Sequence, residues 1–167
     1  IILCLLATAS CQKAPDSTPC SDPIGCIHIH PSDPIIIGAL QALSGSAAIN
    51  GQVQLNGIRL ALQERGQSIL GHPITLAVED SRCSAEGGTS SALKIALNLN
   101  TVAVIGTLCS ESGRTASKIL SDAGIVMISG ANSAPSLTSV NGKKGTNWQP
   151  GYFRVMHNGA RIAEAAA

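Results

Sequence analysis

The sequence predicts an α/β fold, a doubly wound sheet of parallel strands, and three observations carry that expectation. Short aliphatic runs alternate with longer amphipathic stretches through most of the 167 residues. Alternation at that spacing implies parallel pairing with right-handed crossovers. Apolar residues make up 44% and aromatics 2%, so the core must be assembled from many small aliphatic contacts, as in buried parallel sheets. Polar and small residues gather where each expected strand ends.

The elements follow in order. Ile35-Ile36-Ile37-Gly38-Ala39-Leu40 is a continuous apolar run led by three β-branched residues and reads as a buried strand. After Ser44-Gly45-Ser46, the apolar positions Val53, Leu55, Ile58, Leu60, Ala61 and Leu62 alternate with Arg59, Gln63, Glu64 and Arg65. That pattern predicts an amphipathic helix stopped by Gly66. Gly71-His72-Pro73 reads as a turn and Ile74-Thr75-Leu76-Ala77-Val78 as the second strand. A helix is expected over 85–99, with Ala92, Ile95, Ala96 and Leu99 on its apolar stripe. Val102-Ala103-Val104-Ile105 is the third strand, and a helix begins near Ser110 and runs to Ala123. Ile125-Val126-Met127-Ile128 is the fourth strand, and Tyr152-Phe153-Arg154-Val155 a fifth that leads into a terminal helix from Asn158.

In such sheets ligands bind beyond the carboxyl ends of the strands. Here those ends carry Ser44 and Ser46, then Glu79, Asp80 and Arg82, then Ser110 and Ser112, then residues 129–133. Ser110 opens a helix, where a hydroxyl caps the first turn. With free backbone N–H groups and the positive dipole end it can also hold a carboxylate; read blandly, it is only a cap. Glu111 would repel an anion if it faced the cleft, so it is expected to point outward. Gly130-Ala131-Asn132-Ser133-Ala134-Pro135 is an irregular small-residue loop able to offer carbonyl and hydroxyl groups to an ammonium, or else simply a turn.

Several classes are excluded. Lys plus Arg total 11 and Asp plus Glu 10, a formal charge of +1, without the clustered cations that nucleic-acid binding requires. Apolar residues recur too evenly for a disordered chain, and no apolar run reaches about 18 residues, which excludes a multi-span membrane protein. Ser110-Glu111-Ser112-Gly113 superficially resembles the nucleophile elbow of an exported hydrolase. Neither serine, however, has glycine at both positions two residues away, and only His157 follows as a base. No enzyme, metal or cofactor is expected.

The N-terminal region carries a different signal. Residues 1–11 hold a short apolar run followed by Thr8-Ala9-Ser10-Cys11, the back half of a secretory leader. A cysteine after small residues resembles the bacterial lipoprotein processing site, which implies a lipid anchor at Cys11. Residues 12–34, with two Asp-Pro steps, read as a flexible tether rich in Pro and Ser, and residues 35–167 as the domain. The chain opens on Ile rather than Met and closes within a helical pattern, and it is read as a fragment open at both ends.

Cysteine usage fits an oxidising compartment. With Cys4 in the leader and Cys11 lipidated, four cysteines remain. Cys20 and Cys26 flank a turn and could bridge locally. Zinc held by Cys20, Cys26, His28 and His30 is the rival, disfavoured because the spacing lacks the paired short loops of structural zinc sites. Cys83 and Cys109 each follow a strand, at the same end of two strands expected to be neighbours; closing that loop would stabilise by about 3–4 kcal/mol.

Four segments together resemble one family: Gly57-Ile58-Arg59-Leu60-Ala61, Glu79-Asp80-Ser81-Arg82-Cys83, Val104-Ile105-Gly106-Thr107-Leu108-Cys109-Ser110, and the run from Ile128-Ser129-Gly130 to Ser136-Leu137-Thr138. Tyr152-Phe153-Arg154 is a fifth. Over 35–167 the chain resembles the Rossmann-like N-terminal lobe of a type I periplasmic substrate-binding protein of ABC importers, in the Leu/Ile/Val-binding branch. The resemblance implies two lobes closing on an amino acid, the C-terminal one missing from this sequence. It implies that Ser110 binds the ligand α-carboxylate, that the Ala131 carbonyl meets the α-ammonium and that Ser133 contacts the head group. It also implies a Cys83–Cys109 disulfide that braces the loop carrying Ser110. Asn50 stands where branched-chain binders often place an aromatic over the ligand side chain, which admits a polar amino acid, an amide or a urea-like solute. The expected protein is a lipid-anchored monomer in the periplasm or on the outer face of the cell membrane, delivering its small-molecule ligand to a permease. A ligand-sensing receptor using the same lobe is the alternative.

Overall fold

Three isoleucines and a short aliphatic run bury strand β1 (Ile35–Gln41) along its whole length, as a strand covered on both faces requires. The computed structural model describes residues 19–167. In it β1 pairs in parallel with β3 (His72–Asp80) on one side and β4 (Thr101–Gly106) on the other. Beyond β4 the sheet continues in parallel through β5 (Val126–Ser129) to β8 (Tyr152–Arg154). A two-residue strand, β2 (Ser68–Ile69), pairs antiparallel with β3 and gives the order β2-β3-β1-β4-β5-β8. A separate hairpin, β6 (Ser139–Val140) with β7 (Lys143–Lys144), lies between β5 and β8 in the chain.

Helices cover the two faces unequally. Helices α2 (Ala85–Ala96) and α3 (Ser110–Asp122) share one face, where Ala92, Ile95, Ala116 and Leu120 join Leu40, Val104 and Met127 in the main core. They approach closely because Gly88 faces α3: a Cβ there would stand 2.4 Å from the Ser112 carbonyl oxygen. On the other face α1 (Ala48–Glu64) seats Leu55 and Ile58 against Ala39, with Leu62 and Ile105 alongside. The last helix, α4 (Gly159–Ala166), is capped by the Asn158 side chain, which accepts from the Arg161 N–H at 2.9 Å.

The alternating order, the four longer strands and the last strand agree with the sequence expectation, and the differences have physical causes. β3 begins at His72, not Ile74, because Leu70 and Gly71, both at positive φ (52° and 84°), turn β2 back along its edge. That turn geometry usually advertises itself as Asn-Gly, and leucine hides it. On α1, Val53 and Leu60 are 65% and 56% exposed, so the expected apolar stripe narrows to Leu55, Ile58 and Leu62. α2 stops three residues short of the expected 99, and Leu99 is 84% exposed instead of lying on its buried stripe.

The N-terminal segment also differs from a free tether. Cys20 and Cys26 are joined by a disulfide, which consumes the thiolates that zinc would need, while His28 and His30 stay exposed. Ile27 packs against the main core. Ile24 lies against Gly124 and Gly151, and its carbonyl oxygen would stand 3.0 Å from a Cβ at Gly124. From Ile24 onward the chain therefore sits on the domain, held by isoleucines whose apolar contribution the neighbouring prolines and aspartates mask. The leader and the lipidation assigned to Cys11 lie outside the described residues.

Candidate functional site

The order in which strands are added to the sheet reverses at β1. The connection leaving β1 runs through α1 to β3, and the connection leaving β4 runs through α3 to β5 on the opposite side. The carboxyl ends of β1 and β4 therefore flank a topological switch point, where ligand crevices form in open α/β sheets. Ser110 stands at the rim of that crevice as the first residue of α3.

Ser110 does not cap its helix, contrary to the sequence expectation. The N-cap position is Cys109, whose side chain makes no capping bond. The Ser110 hydroxyl turns to the loop after β5, where its oxygen accepts from the Ser133 N–H at 3.1 Å and from the Ala134 N–H at 3.1 Å. A hydroxyl has two acceptor lone pairs and one hydrogen. With both lone pairs engaged, the remaining capacity of Ser110 is to donate. At the same helix end, no acceptor among the described residues takes the N–H groups of Ser110, Glu111 or Ser112, so the α3 tip keeps its positive end open. Glu111 faces outward and pairs with Arg114.

The loop that meets Ser110 is held from beneath. Asn132 is wholly buried; its Nδ2 donates to the Thr107 carbonyl at 2.8 Å, and its Oδ1 accepts from the Tyr152 hydroxyl at 3.0 Å. The Ser129 hydroxyl donates to the Thr107 carbonyl at 2.9 Å and accepts from the Asn132 N–H at 2.9 Å. Arg154 donates from Nη1 to the carbonyls of Asn132 and Ala134, at 3.1 and 2.9 Å, and from Nη2 to the Thr138 hydroxyl. Burial raises the Tyr152 phenol above its usual range, against the opposing pull of the Ser129 hydrogen bond and the Arg154 charge. Burial lowers the Arg154 guanidinium, which still stays cationic. Asn132, Thr107 and Arg154 were not singled out as functional residues from the sequence; the only signal was the Tyr152/Arg154 alternation, which puts both on one face of β8.

Of the site residues expected from sequence, Ser110 and Ser133 are brought into direct contact, and Ala131 lies in the same loop. The Ala131 N–H is taken by the Ser129 hydroxyl at 3.2 Å, while its carbonyl accepts nothing among the described residues. Asn50 is exposed on the first turn of α1, and no hydrogen bond among the described residues joins it to the Ser110 cluster. Cys83 and Cys109 are bridged with Cα atoms 5.2 Å apart. The strands before them are not neighbours, however: β1 lies between β3 and β4, so the bridge spans the switch point and ties the α2 and α3 entry loops together.

Asp80 fixes the opposite wall. Its Oδ1 accepts from the N–H groups of Leu43 at 2.8 Å and Arg82 at 2.9 Å, joining the loops after β1 and β3. Burial alone would raise this carboxyl, but hydrogen bonds from Ser44, Leu43 and Arg82 and the Arg82 charge bring it below its ordinary value. A depressed carboxylate contributes stability that is complete above its ordinary value and is lost as pH falls through the depressed one. Asp80→Ala should therefore cost about 2 kcal/mol at neutral pH. Asp80→Asn should flatten the acid limb of the stability profile, as read from urea midpoints against pH; an unchanged acid limb would contradict the assignment.

A family model described as "Periplasmic binding protein" matches residues 34–167. The chain is 33% identical over 122 residues to a Leu/Ile/Val/Thr-binding protein of Salmonella typhimurium, covering 69% of this chain and 33% of that relative. An ABC transporter substrate-binding protein from Sphaerobacter thermophilus superposes with a TM-score of 0.69 at 28% identity, over 80% of this chain and 36% of that one. A Desulfitobacterium hafniense ABC transporter substrate-binding protein, solved in complex with Leu, gives a TM-score of 0.66 at 27% identity, over 80% of this chain and 37% of that one. The chain spans about a third of the length of the curated relatives it matches.

Proposed function

The chain belongs to the periplasmic binding protein family, and from that premise we propose that it is one lobe of an extracytoplasmic solute-binding protein that captures an amino acid by its carboxylate and delivers it to an ABC transporter permease. The observation that carries this reading is the Ser110 hydroxyl. Its two lone pairs are filled by the Ser133 and Ala134 N–H groups, so its remaining capacity is to donate, and it stands beside the open tip of α3. A carboxylate is the ligand group matched to a hydroxyl donor and a helix N-terminus together.

The rest of the site supports a zwitterion. The Ala131 carbonyl, without a partner among the described residues, is available to an ammonium, and Ser133 contributes its hydroxyl to the head group. Asn50, on the α1 side of the crevice, faces the ligand side chain and favours a polar contact there over an aromatic one. Work on the ligand is closure and release: a second lobe shuts over the crevice, and the closed form docks on the permease. No bond is made or broken, so the protein is not an enzyme. Residues 1–11 act as a leader whose Cys11 carries the lipid, and residues after it link that anchor to the domain. The protein works as a monomer in the periplasm or on the outer face of the cell membrane.

A thermal-shift screen of the intact protein tests this, with L-leucine, L-valine, L-glutamine, urea and L-leucinamide as probes. A ligand at a hundredfold its Kd stabilises the native state by about 2.7 kcal/mol. Stabilisation should be strongest with the amino acids, weaker with L-leucinamide and absent with urea. A shift with urea or the amide alone would reject carboxylate capture, and no shift with any probe would reject the binding role for these solutes.

A further inference from the structure

We propose that Arg154 is a positioning residue that delivers positive charge to the ligand's carboxylate without touching it, through the Asn132–Ser133 peptide and the Ser110 hydroxyl. The inference rests on the reading of Ser110 as the carboxylate donor. The Asn132 carbonyl and the Ser133 N–H belong to one trans peptide group, so they point in opposite directions. Arg154 Nη1 donates to that carbonyl at 3.1 Å from one side, and the Ser110 oxygen accepts from that N–H at 3.1 Å on the other. Ala134 gives Ser110 a second N–H at 3.1 Å, and its carbonyl, which belongs to the next peptide group, accepts from the same guanidinium nitrogen at 2.9 Å and fixes the loop on Arg154.

Two consequences follow from hydrogen-bond physics. A cation on a carbonyl polarises the amide, so its N–H becomes a better donor, and a hydroxyl that receives such N–H bonds becomes a better donor in turn. The chain of bonds thus ends in an O–H group tuned for an anion. No carboxylate among the described residues forms an ion pair with Arg154, so its half-buried charge has no local counter-charge until an anionic ligand arrives. Thr138, whose hydroxyl accepts from Nη2, gives the guanidinium a third acceptor beside the two carbonyls.

The test compares L-leucine with L-leucinamide, which lacks the carboxylate, by titration calorimetry on the intact protein. Arg154→Met should weaken L-leucine about tenfold and leucinamide by less than about twofold, so the preference for the acid collapses. Arg154→Lys, which keeps the cation and loses the fork, should recover part of that preference. Equal weakening of both ligands, or no recovery with lysine, would reduce Arg154 to a structural brace and overturn the inference. A ligand-free readout runs alongside: amide exchange at Ser133 should speed up in Arg154→Met more than in Ile95→Val, a core variant destabilised elsewhere. If the wild-type protein binds neither probe, the proposed function fails for them, and unchanged exchange at Ser133 would separately overturn the positioning role. Should Arg154→Met not fold, Thr138→Val loosens the same guanidinium and is read by the same exchange measurement and the same ligand ratio.

Discussion

Gly51→Ala should destabilise the fold by about 3 kcal/mol, lowering Tm by roughly 6–12 °C. A single methyl has this effect because of where α1 lands. A Cβ at Gly51 would stand 1.8 Å from the Ala42 carbonyl oxygen and 2.6 Å from its carbonyl carbon, both backbone atoms of the segment leaving β1. No rotamer change can relieve contact with backbone, so the helix must lift or the loop after β1 must move. α1 is seated on the sheet by only a few side chains, Leu55 and Ile58 foremost, and lifting its first turns would open that contact. The same shift would displace Leu43, whose N–H is held by Asp80, and would carry the crevice wall with it. Thermal and urea melts of the single variant are sufficient; a Tm within about 2 °C of wild type would mean that α1 does not sit on Ala42.

Glycines of this kind mark the limit of what the sequence disclosed. β1 and β4 were legible because uninterrupted aliphatic runs leave no other reading, and α2 and α3 because their small and apolar residues recur at helical spacing. Ser110 was legible as a rim residue because it follows a strand and opens a helix. Which way its hydroxyl turns was not legible, since that depends on the loop after β5, more than twenty residues away in the chain. Asn132 was hidden for the same reason. In a stretch of small residues it reads as turn material, whereas its burial depends on Thr107, Tyr152 and Arg154 arriving from β8 and the α3 entry loop. Local chemistry showed which residues stand at the rim, and tertiary contact decided which of them face one another. The Cys83–Cys109 bridge illustrates both halves. That both cysteines follow strands was visible, but the intervening β1 was not, and its presence turns a clip between neighbours into a tie across the crevice.

Ser110→Ala should raise the Kd for an amino-acid ligand by about 10- to 100-fold, the loss of one hydrogen bond to a charged group at about 1.5–3 kcal/mol. Removing the Oγ leaves the Ser133 and Ala134 N–H groups without their shared acceptor. They cannot simply take over the carboxylate, because the Asn132 and Ala134 carbonyls on either side of them stay clamped by Arg154 and the loop cannot swing toward the α3 tip. Fold stability should fall by much less than affinity, since the loop keeps its Asn132 anchors to Thr107 and Tyr152. Ser110→Thr, which restores the hydroxyl, should recover most of the affinity, while L-leucinamide should be affected far less than L-leucine. Calorimetric titration of the intact protein with both ligands reads these differences directly. Wild-type affinity for L-leucine in Ser110→Ala would show that the carboxylate is held by the helix tip alone, and would remove Ser110 from the centre of the site.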